Sequence, residues 1–179
     1  MNIITIMCFK KIKSKGEEMI EVKITDEMMN TAKEKASNMR ALNNSITHGD
    51  GNIAGFVGDQ VVNSLVKSVW ASTYDYDLIT DKGTRIEVKT KRTTVKPKDY
   101  YDCSIANFNT KQKCDVYAFV RCNLETREAW FVGWMKKQEY LDKARFMKKG
   151  DIDPSNNFTV KADCHNVAIK DLNQGISID

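Results

Sequence analysis

The stretch that most constrains the fold of this chain is residues 74–91, with the sequence YDYDLITDKGTRIEVKTK. Residues 74–80 and 84–91 both alternate between apolar and polar positions, which is typical of β-strands. Residues 81–83, Asp-Lys-Gly, separate them, and glycine readily adopts the positive φ that a tight loop requires. The pattern therefore predicts one β-hairpin.

A three-residue loop fixes which residues of the predicted hairpin lie opposite each other. It places Thr80 opposite Thr84, and counting back from there places Asp77 opposite Glu87. Successive side chains of a strand point to opposite faces, so Glu87 and Lys89 share the face of Asp77 while their apolar neighbours turn to the core. The hairpin is thus expected to gather two carboxylates and one amine.

The facing carboxylates of Asp77 and Glu87 predict a metal site. Like charges directly opposite each other destabilise a sheet, and a hard cation offsets that repulsion. Mg²⁺ is held by one or two carboxylates together with waters and phosphate oxygens. Lys89 would then orient or deprotonate the attacking water, as in phosphodiester hydrolysis. The alternative is a solvated hairpin face on which Glu87 and Lys89 pair with neighbours, because this spacing is common by chance.

The hairpin, together with the helix predicted before it, resembles a known family. Asp77, a short hairpin and residues 86–89, IEVK, are similar to the signature of the PD-(D/E)xK nucleases, the restriction-endonuclease-like superfamily. Residues 55–59, GFVGD, resemble the G-x-x-G-E segment in which many of these nucleases place a further acidic residue. One departure is Tyr76, which stands where the family name has Pro. The resemblance extends over residues 52–134.

This resemblance implies an α/β, restriction-endonuclease-like core with a mixed central β-sheet flanked by α-helices. It also implies a Mg²⁺-dependent deoxyribonuclease, an endonuclease in which Mn²⁺ substitutes for Mg²⁺. Asp77 and Glu87, with the Val88 carbonyl, would bind the metal, and Lys89 would position the attacking water. Asp59 would assist a first or second metal ion, with a side chain one methylene shorter than the Glu of the family.

The helix that carries Asp59 is predicted over residues 52–70. Apolar residues at a spacing of four indicate one core-facing ridge, formed by Ile53, Val57, Val61, Leu65 and Val69. Gly55 and Gly58 lower the helix propensity, which indicates that another backbone or a ligand approaches closely there. Asp59 lies off the ridge, and the alternative to metal binding is an exposed aspartate that favours the positive end of the helix dipole.

A basic segment, residues 89–98, follows the second strand of the hairpin and interleaves Lys and Arg with Thr. This composition suits contacts with the phosphates of a nucleic acid strand. We expect DNA contacts from Lys91, Arg92, Lys96 and Lys98, and the alternative is a solvated loop. Tyr100 and Tyr101 would either stack on bases or pack into the core.

The remaining segments are predicted to complete a single domain. A helix is expected over residues 25–40 and a buried central strand over residues 115–120. Further strands are expected at 103–106, 129–134 and 158–160, and a last amphipathic helix over 136–146. Residues 1–18 are predicted to form a flexible N-terminal extension and residues 19–179 the nuclease-like domain.

Composition restricts the class of protein further. The chain has 179 residues, a net charge of +4 and 41% hydrophobic content, which fits a globular domain with a sizeable core. Its N-terminal residues lack the order of a secretory signal and the length of a membrane span, so we expect a cytoplasmic protein without a membrane partner. The five cysteines contain no C-x-x-C pair, which favours buried thiols over disulfides or a zinc site.

The sequence therefore predicts a small Mg²⁺-dependent nuclease with DNA as its partner. Its size, without a separate recognition domain, resembles phage or mobile-element nucleases. Two symmetric active sites would favour a homodimer. The alternatives are a catalytically inactive nucleic-acid-binding module on the same fold, or a phage protein that binds a host enzyme.

Overall fold

A computed structural model describes residues 19–38, 52–71, 73–154 and 157–178. Over these ranges the chain forms two β-sheets and three α-helices. The predicted α/β class, with a mixed central sheet and flanking helices, is confirmed. Residues 1–18, predicted to be a flexible extension, lie outside the described residues.

The strands and helices of the described ranges are as follows. In chain order the strands are β1 (Ile20–Lys23), β2 (Ser68–Trp70), β3 (Leu78–Thr80), β4 (Arg85–Arg92), β5 (Asp102–Ala106), β6 (Val116–Asn123), β7 (Glu128–Lys136), β8 (Arg145–Met147) and β9 (Cys164–Ala168). The α-helices are α1 (Asp26–Asn38), α2 (Asn52–Leu65) and α3 (Lys137–Lys143).

Six strands form the central sheet in the order β1-β7-β6-β4-β3-β2. β4 runs parallel to β6, and the other neighbouring strands are antiparallel, so the sheet is mixed. All eight residues of β6 are buried, which confirms the predicted central strand. β4 lies inside the sheet, between β6 and β3, and this position fixes which of its side chains point to each face.

The predicted hairpin is present, but its first strand is short. Leu78 pairs with Ile86 in the predicted register, and Gly83 has a φ of 89° in the connecting loop. Residues 74–77 were expected to extend this strand, yet they lie outside it. The chain before Leu78 is therefore free to leave the regular ladder.

Helices α1 and α2 cover one face of the central sheet. Their apolar residues pack with Ile86 and Val88 of β4 in one buried cluster. The prediction that α2 continues to residue 70 is wrong, because residues 68–70 form β2 and pair with β3. Val69 is accordingly 64% exposed instead of buried. A short apolar run is compatible with either helix or strand, and here pairing with a neighbouring strand decides between them.

The opposite face of the central sheet carries a second layer. A three-stranded sheet of order β5-β9-β8 and the short helix α3 pack there around Tyr117, Phe119 and Tyr140. The last predicted helix is shorter than expected, because Phe146 belongs to β8. The strand predicted at 158–160 is absent, apart from a single bridge between Thr159 and Ile152.

The cysteines of the described ranges are free thiols. Cys103, Cys114 and Cys122 are buried, as predicted, and burial raises the pKa of the Cys103 thiol to about 12. Such a thiol stays protonated at neutral pH and contributes to packing. Cys8 lies outside the described residues. None of the described helices has the length and apolar character needed to cross a membrane.

Candidate active site

Strand β4 separates apolar and charged side chains onto its two faces. Ile86 and Val88 join the core beneath α1 and α2, whereas Glu87 and Lys89 point to the other face. The ammonium of Lys89 lies 2.6 Å from Glu87 Oε1. Glu87 is buried and Lys89 half-buried, so the ion pair is largely shielded from water. The predicted sharing of one face by these two residues is therefore realised.

Asp77 reaches β4 from the end of the neighbouring strand. Regular pairing with β4 ends at Leu78 and so does not include Asp77, the residue expected to face Glu87. The Asp77 N–H instead donates to the Ile86 carbonyl at 2.9 Å, and the Val88 N–H donates to Asp77 Oδ2 at 2.8 Å. The predicted cross-strand pair is thus replaced by a side-chain bond to β4 that holds the Asp77 carboxyl beside Glu87.

A third carboxyl, that of Asp59, comes from helix α2. Asp59 is 7% exposed, so the alternative of a solvated helix aspartate is wrong. Burial raises the pKa of Asp59 well above its usual range, and the negative charges of Asp77 and Glu87 raise it further. The charges of Asp77, which precedes β3, and of Glu87 on β4 therefore reach Asp59.

The carboxyl cluster, formed by Asp59, Asp77 and Glu87, holds more negative charge than its surroundings accommodate. Burial, followed by repulsion from Glu87, raises the pKa of Asp77 to about 7. The Val88 N–H bond and the Lys89 ammonium oppose this rise. Desolvation disfavours the charged form of a carboxyl, and a like charge disfavours it again. Binding of a proton or of a cation would therefore reduce the repulsion within the carboxyl cluster.

Gln112 completes the surroundings of Glu87 and was not predicted as a site residue. Its Nε2 donates to Glu87 Oε1 at 3.0 Å and to the Tyr74 carbonyl at 2.8 Å, and its Oε1 lies 3.4 Å from Lys89 Nζ. It follows a 3-10 helix over Asn107–Lys111, and its carbonyl accepts a hydrogen bond from Lys137. No sequence spacing relates Gln112 to the hairpin, because the two are distant in the sequence and meet only in the folded chain.

Helix α2 lies unusually close to β4. A Cβ added to Gly58 would stand 1.7 Å from Thr90 Oγ1. Close approach is therefore confirmed at Gly58, although the neighbour is the Thr90 side chain and not a backbone, whereas at Gly55 no atom of the described residues approaches within 4 Å of such a Cβ. The contact brings the backbone beside Asp59 down onto the strand that carries Glu87.

The oxygen atoms of this site suit a hard divalent cation. Asp77 and Glu87 supply carboxylates, and the Val88 carbonyl lies on the Asp77 side of β4 because the N–H and C=O of one strand residue point the same way. Across the described ranges, no group of three or more His, Cys, Asp or Glu side chains is arranged as a ready ligand set. Mg²⁺ requires only one or two carboxylates, with waters and phosphate oxygens as further ligands.

The basic segment begins on β4 and continues into the following loop. Lys91, Arg92, Lys96 and Lys98 are all exposed, as contacts with DNA would require. The two tyrosines after it differ: Tyr101 packs against the second core, while Tyr100 is 52% exposed. Packing into the core is therefore confirmed for Tyr101, whereas base stacking by Tyr100 stays a prediction.

Comparisons with known proteins add no relative. No protein-family model and no curated protein matches the sequence. The arrangement of Asp59, Asp77, Glu87 and Lys89 is thus the basis for assigning a chemistry.

Proposed function

We propose that this protein is a metal-dependent nuclease that hydrolyses phosphodiester bonds in DNA, acting as an endonuclease. The observation that carries the proposal is the convergence of Asp77, Glu87 and Lys89 around β4. Two adjacent carboxyls, one with a pKa raised to about 7, would be costly without a counter-charge. A strongly perturbed group beside a specific charge partner is typical of functional sites.

Asp77, Glu87 and the Val88 carbonyl would hold Mg²⁺, or Mn²⁺ in its place. Asp59 stands behind them on α2 and would assist the same ion or a second one. When bound, the ion supplies neutralisation of the scissile phosphate and activation of water. The carboxyls must be ionised to bind it, so the raised pKa values of Asp59 and Asp77 link occupancy to pH.

Lys89 is the residue best placed to act on the attacking water. Its ammonium lies 2.6 Å from Glu87 Oε1 and 3.4 Å from Gln112 Oε1, which holds it at the edge of the carboxyl cluster. From there it would orient the water, or donate hydrogen bonds to the charge that develops on the phosphate oxygens. Because Glu87 and Gln112 already restrict the position of the Lys89 side chain, this side chain would lose little conformational freedom during the reaction.

The basic segment would bind the DNA strand on either side of the cleaved bond. Lys91 and Arg92 lie on the same strand as Lys89, and Lys96 and Lys98 follow in the next loop. Contacts of this kind position the phosphate backbone without reading its sequence. Binding should therefore weaken as the salt concentration rises.

The test is cleavage of plasmid and oligonucleotide DNA with Mg²⁺ or Mn²⁺. Lys89→Ala and Asp77→Asn should each lower the cleavage rate by about 100-fold or more, the range typical for removal of a proton-transfer or charge-stabilising group. Lys82→Ala, in the exposed hairpin loop, is the matched control and should cut like the wild type. DNA binding by Lys89→Ala should remain within a few-fold of the wild type.

Two outcomes would contradict the proposal. If the wild type binds DNA but cuts neither form with either metal, the protein is a non-catalytic binding module. If Lys89→Ala cuts as fast as the wild type, the chemistry takes place elsewhere on the chain.

A further inference from the structure

A cavity of about 580 Å³ opens beside Lys89, between β4 and the three-stranded sheet. Its volume lies within the range of about 300–1,000 Å³ typical of small-molecule sites. Lys89 forms part of its wall and also contacts Glu87, so the cavity adjoins the carboxyl cluster. Hydrolysis of a phosphodiester requires no such space.

Aromatic side chains line part of the cavity. Tyr100 and Phe158 contribute to its walls and are 52% and 50% exposed. The ammonium of Lys98 lies 5.7 Å from the Tyr100 ring centre, and that of Lys91 lies 6.0 Å from the Phe158 ring centre. Exposed aromatic faces beside cations are the combination on which unpaired bases stack.

Polar groups in the cavity wall can meet the edge of a base. Ser104 and Asn166 lie side by side in the wall, with Ser104 Oγ donating to Asn166 Oδ1 at 2.6 Å. The carboxyl of Asp102 and the amide of Asn109 are further wall groups. Such donors and acceptors, set among apolar walls, are typical of pockets that hold a single extruded base.

The charge of the cavity suits a phosphate-linked ligand. Lys91, Arg121 and Lys161 join Lys89 in the wall. Two carboxylates, those of Asp102 and Asp153, oppose them, but both lie close to Arg145, at 2.7 Å and 3.6 Å. Desolvation of the ammonium, followed by the positive charge of Arg121, lowers the pKa of Lys91.

We propose that this cavity binds one unstacked nucleotide of the strand whose phosphate lies at Lys89. The inference rests on the proposed function for the position of that phosphate, but binding itself does not require cleavage. A base inside a duplex reaches the cavity only after unpairing and unstacking. Single-stranded or unpaired DNA should therefore bind more tightly than a fully paired duplex of the same length.

Fluorescence anisotropy with a labelled single-stranded oligo(dT) and a labelled duplex, both in EDTA, tests this directly. The wild type should bind the single strand at least about fivefold more tightly. Tyr100→Ala and Phe158→Ala should each weaken single-strand binding by about fivefold or more, the lower end of base-stacking effects. Both side chains are half-exposed, so the variants are expected to fold, which thermal unfolding would verify.

The matched control is Phe146→Ala. Phe146 is 45% exposed, comparable to Phe158, but lies against His165 and outside the cavity wall. Its replacement should leave single-strand binding unchanged. Equal affinity for duplex and single strand, no single-strand binding, or equal loss in Phe146→Ala and Phe158→Ala would each overturn the inference.

A parallel cleavage assay with Mg²⁺ separates the two proposals. Selective single-strand binding that depends on Tyr100 and Phe158, without any cleavage, would refute the nuclease and retain the nucleotide site. Cleavage by a wild type whose binding is indifferent to both aromatic residues would retain the nuclease and refute the nucleotide site.

Discussion

The two faces of β4 affect the stability of the protein in opposite ways. On one face, Ile86 and Val88 are buried against α1 and α2 and stabilise the fold by removing apolar surface from water. On the other, Glu87 and Lys89 stand beside Asp77, where burial and like charges raise the pKa of a carboxyl to about 7. Alternation along a single strand therefore places a stabilising contact next to a destabilising one.

Packing on the apolar face of β4 explains how the protein tolerates the charged one. A charged cluster in a loop would relax its repulsion by moving apart, because few contacts would hold it. The apolar face of β4 is packed beneath the helices, so Glu87 and Lys89 have no such freedom, and the Val88 N–H holds the Asp77 carboxyl beside them. Ionisation of Asp59 and Asp77 is therefore disfavoured in the folded protein, and a bound cation would offset that cost.

The largest effect of a substitution is expected on the apolar face of β4. Ile86→Ala should lower the free energy of unfolding by about 2–5 kcal/mol, because the side chain is fully buried and leaves a cavity. Urea unfolding monitored by circular dichroism measures the change. The control Ile152→Ala removes an exposed side chain and should change stability by no more than about 0.5 kcal/mol. Equal losses would show that β4 does not anchor the fold.

The charged face is tested next through Gln112. Gln112→Ala removes hydrogen bonds to Glu87 and the weaker contact with Lys89, so it should lower kcat by about 10- to 100-fold with little change in KM. Steady-state cleavage of a short DNA substrate gives both constants. Gln138→Ala, at an exposed glutamine on α3, should cut normally. A rise in KM alone would assign Gln112 to substrate binding.

A third test uses the pH dependence of stability. Asp77 has a pKa near 7 in the folded chain, above its ordinary value, so the metal-free protein should lose stability as its carboxyl ionises between about pH 4 and pH 7. At pH 8, Asp77→Asn should therefore stabilise the metal-free protein by at least about 1 kcal/mol, or about 2–4 °C in Tm. Thermal unfolding in EDTA measures this.

The same experiment with Mg²⁺ tests whether Asp77 binds the ion. Because the ion binds ionised carboxylates, the rise in Tm on adding Mg²⁺ should grow as the pH increases through about 7 and should vanish in Asp77→Asn. Asp171→Asn, at an exposed site away from β4, should respond to Mg²⁺ like the wild type. A pH-independent response in the wild type would argue against metal binding by Asp77.

The smallest effect is expected beyond the end of β4. Lys96→Ala and Lys98→Ala should each weaken DNA binding similarly for different sequences and reduce the slope of log affinity against log salt by about one. Titrations at several salt concentrations provide the slope. Lys67→Ala, whose exposed ammonium pairs with Asp81, should leave the slope unchanged. An unchanged slope in the first two variants would make the segment a solvated loop.

Local patterns predicted the parts of the fold that are formed by neighbours in the sequence. Alternation and Gly83 were enough for the hairpin register, and apolar spacing was enough for α1 and most of α2. The three-stranded sheet escaped prediction because β5 pairs with β9 across a large separation in sequence, and β8 is only three residues long. Pairing between distant segments leaves little trace in either segment alone.

The candidate site divides in the same way. Asp77, Glu87 and Lys89 were predicted from one hairpin, although the bond from the Val88 N–H to Asp77 was not. Gln112 was missed because a loop near the start of β6 brings it to Glu87. The burial of Asp59 depends on how closely α2 packs on β4, which the helix pattern does not contain.

The contact between Gly58 and Thr90 has a consequence for binding. The Thr90 hydroxyl is buried and has no hydrogen-bond partner in the described part of the chain. The close packing of α2 on β4 therefore leaves one polar group unsatisfied. With no side chain at Gly58 to act as a spacer, α2 packs directly on β4. Asp59 and Glu87 are therefore carried by two directly packed elements, so a cation bound there would meet carboxyls that the fold has already placed.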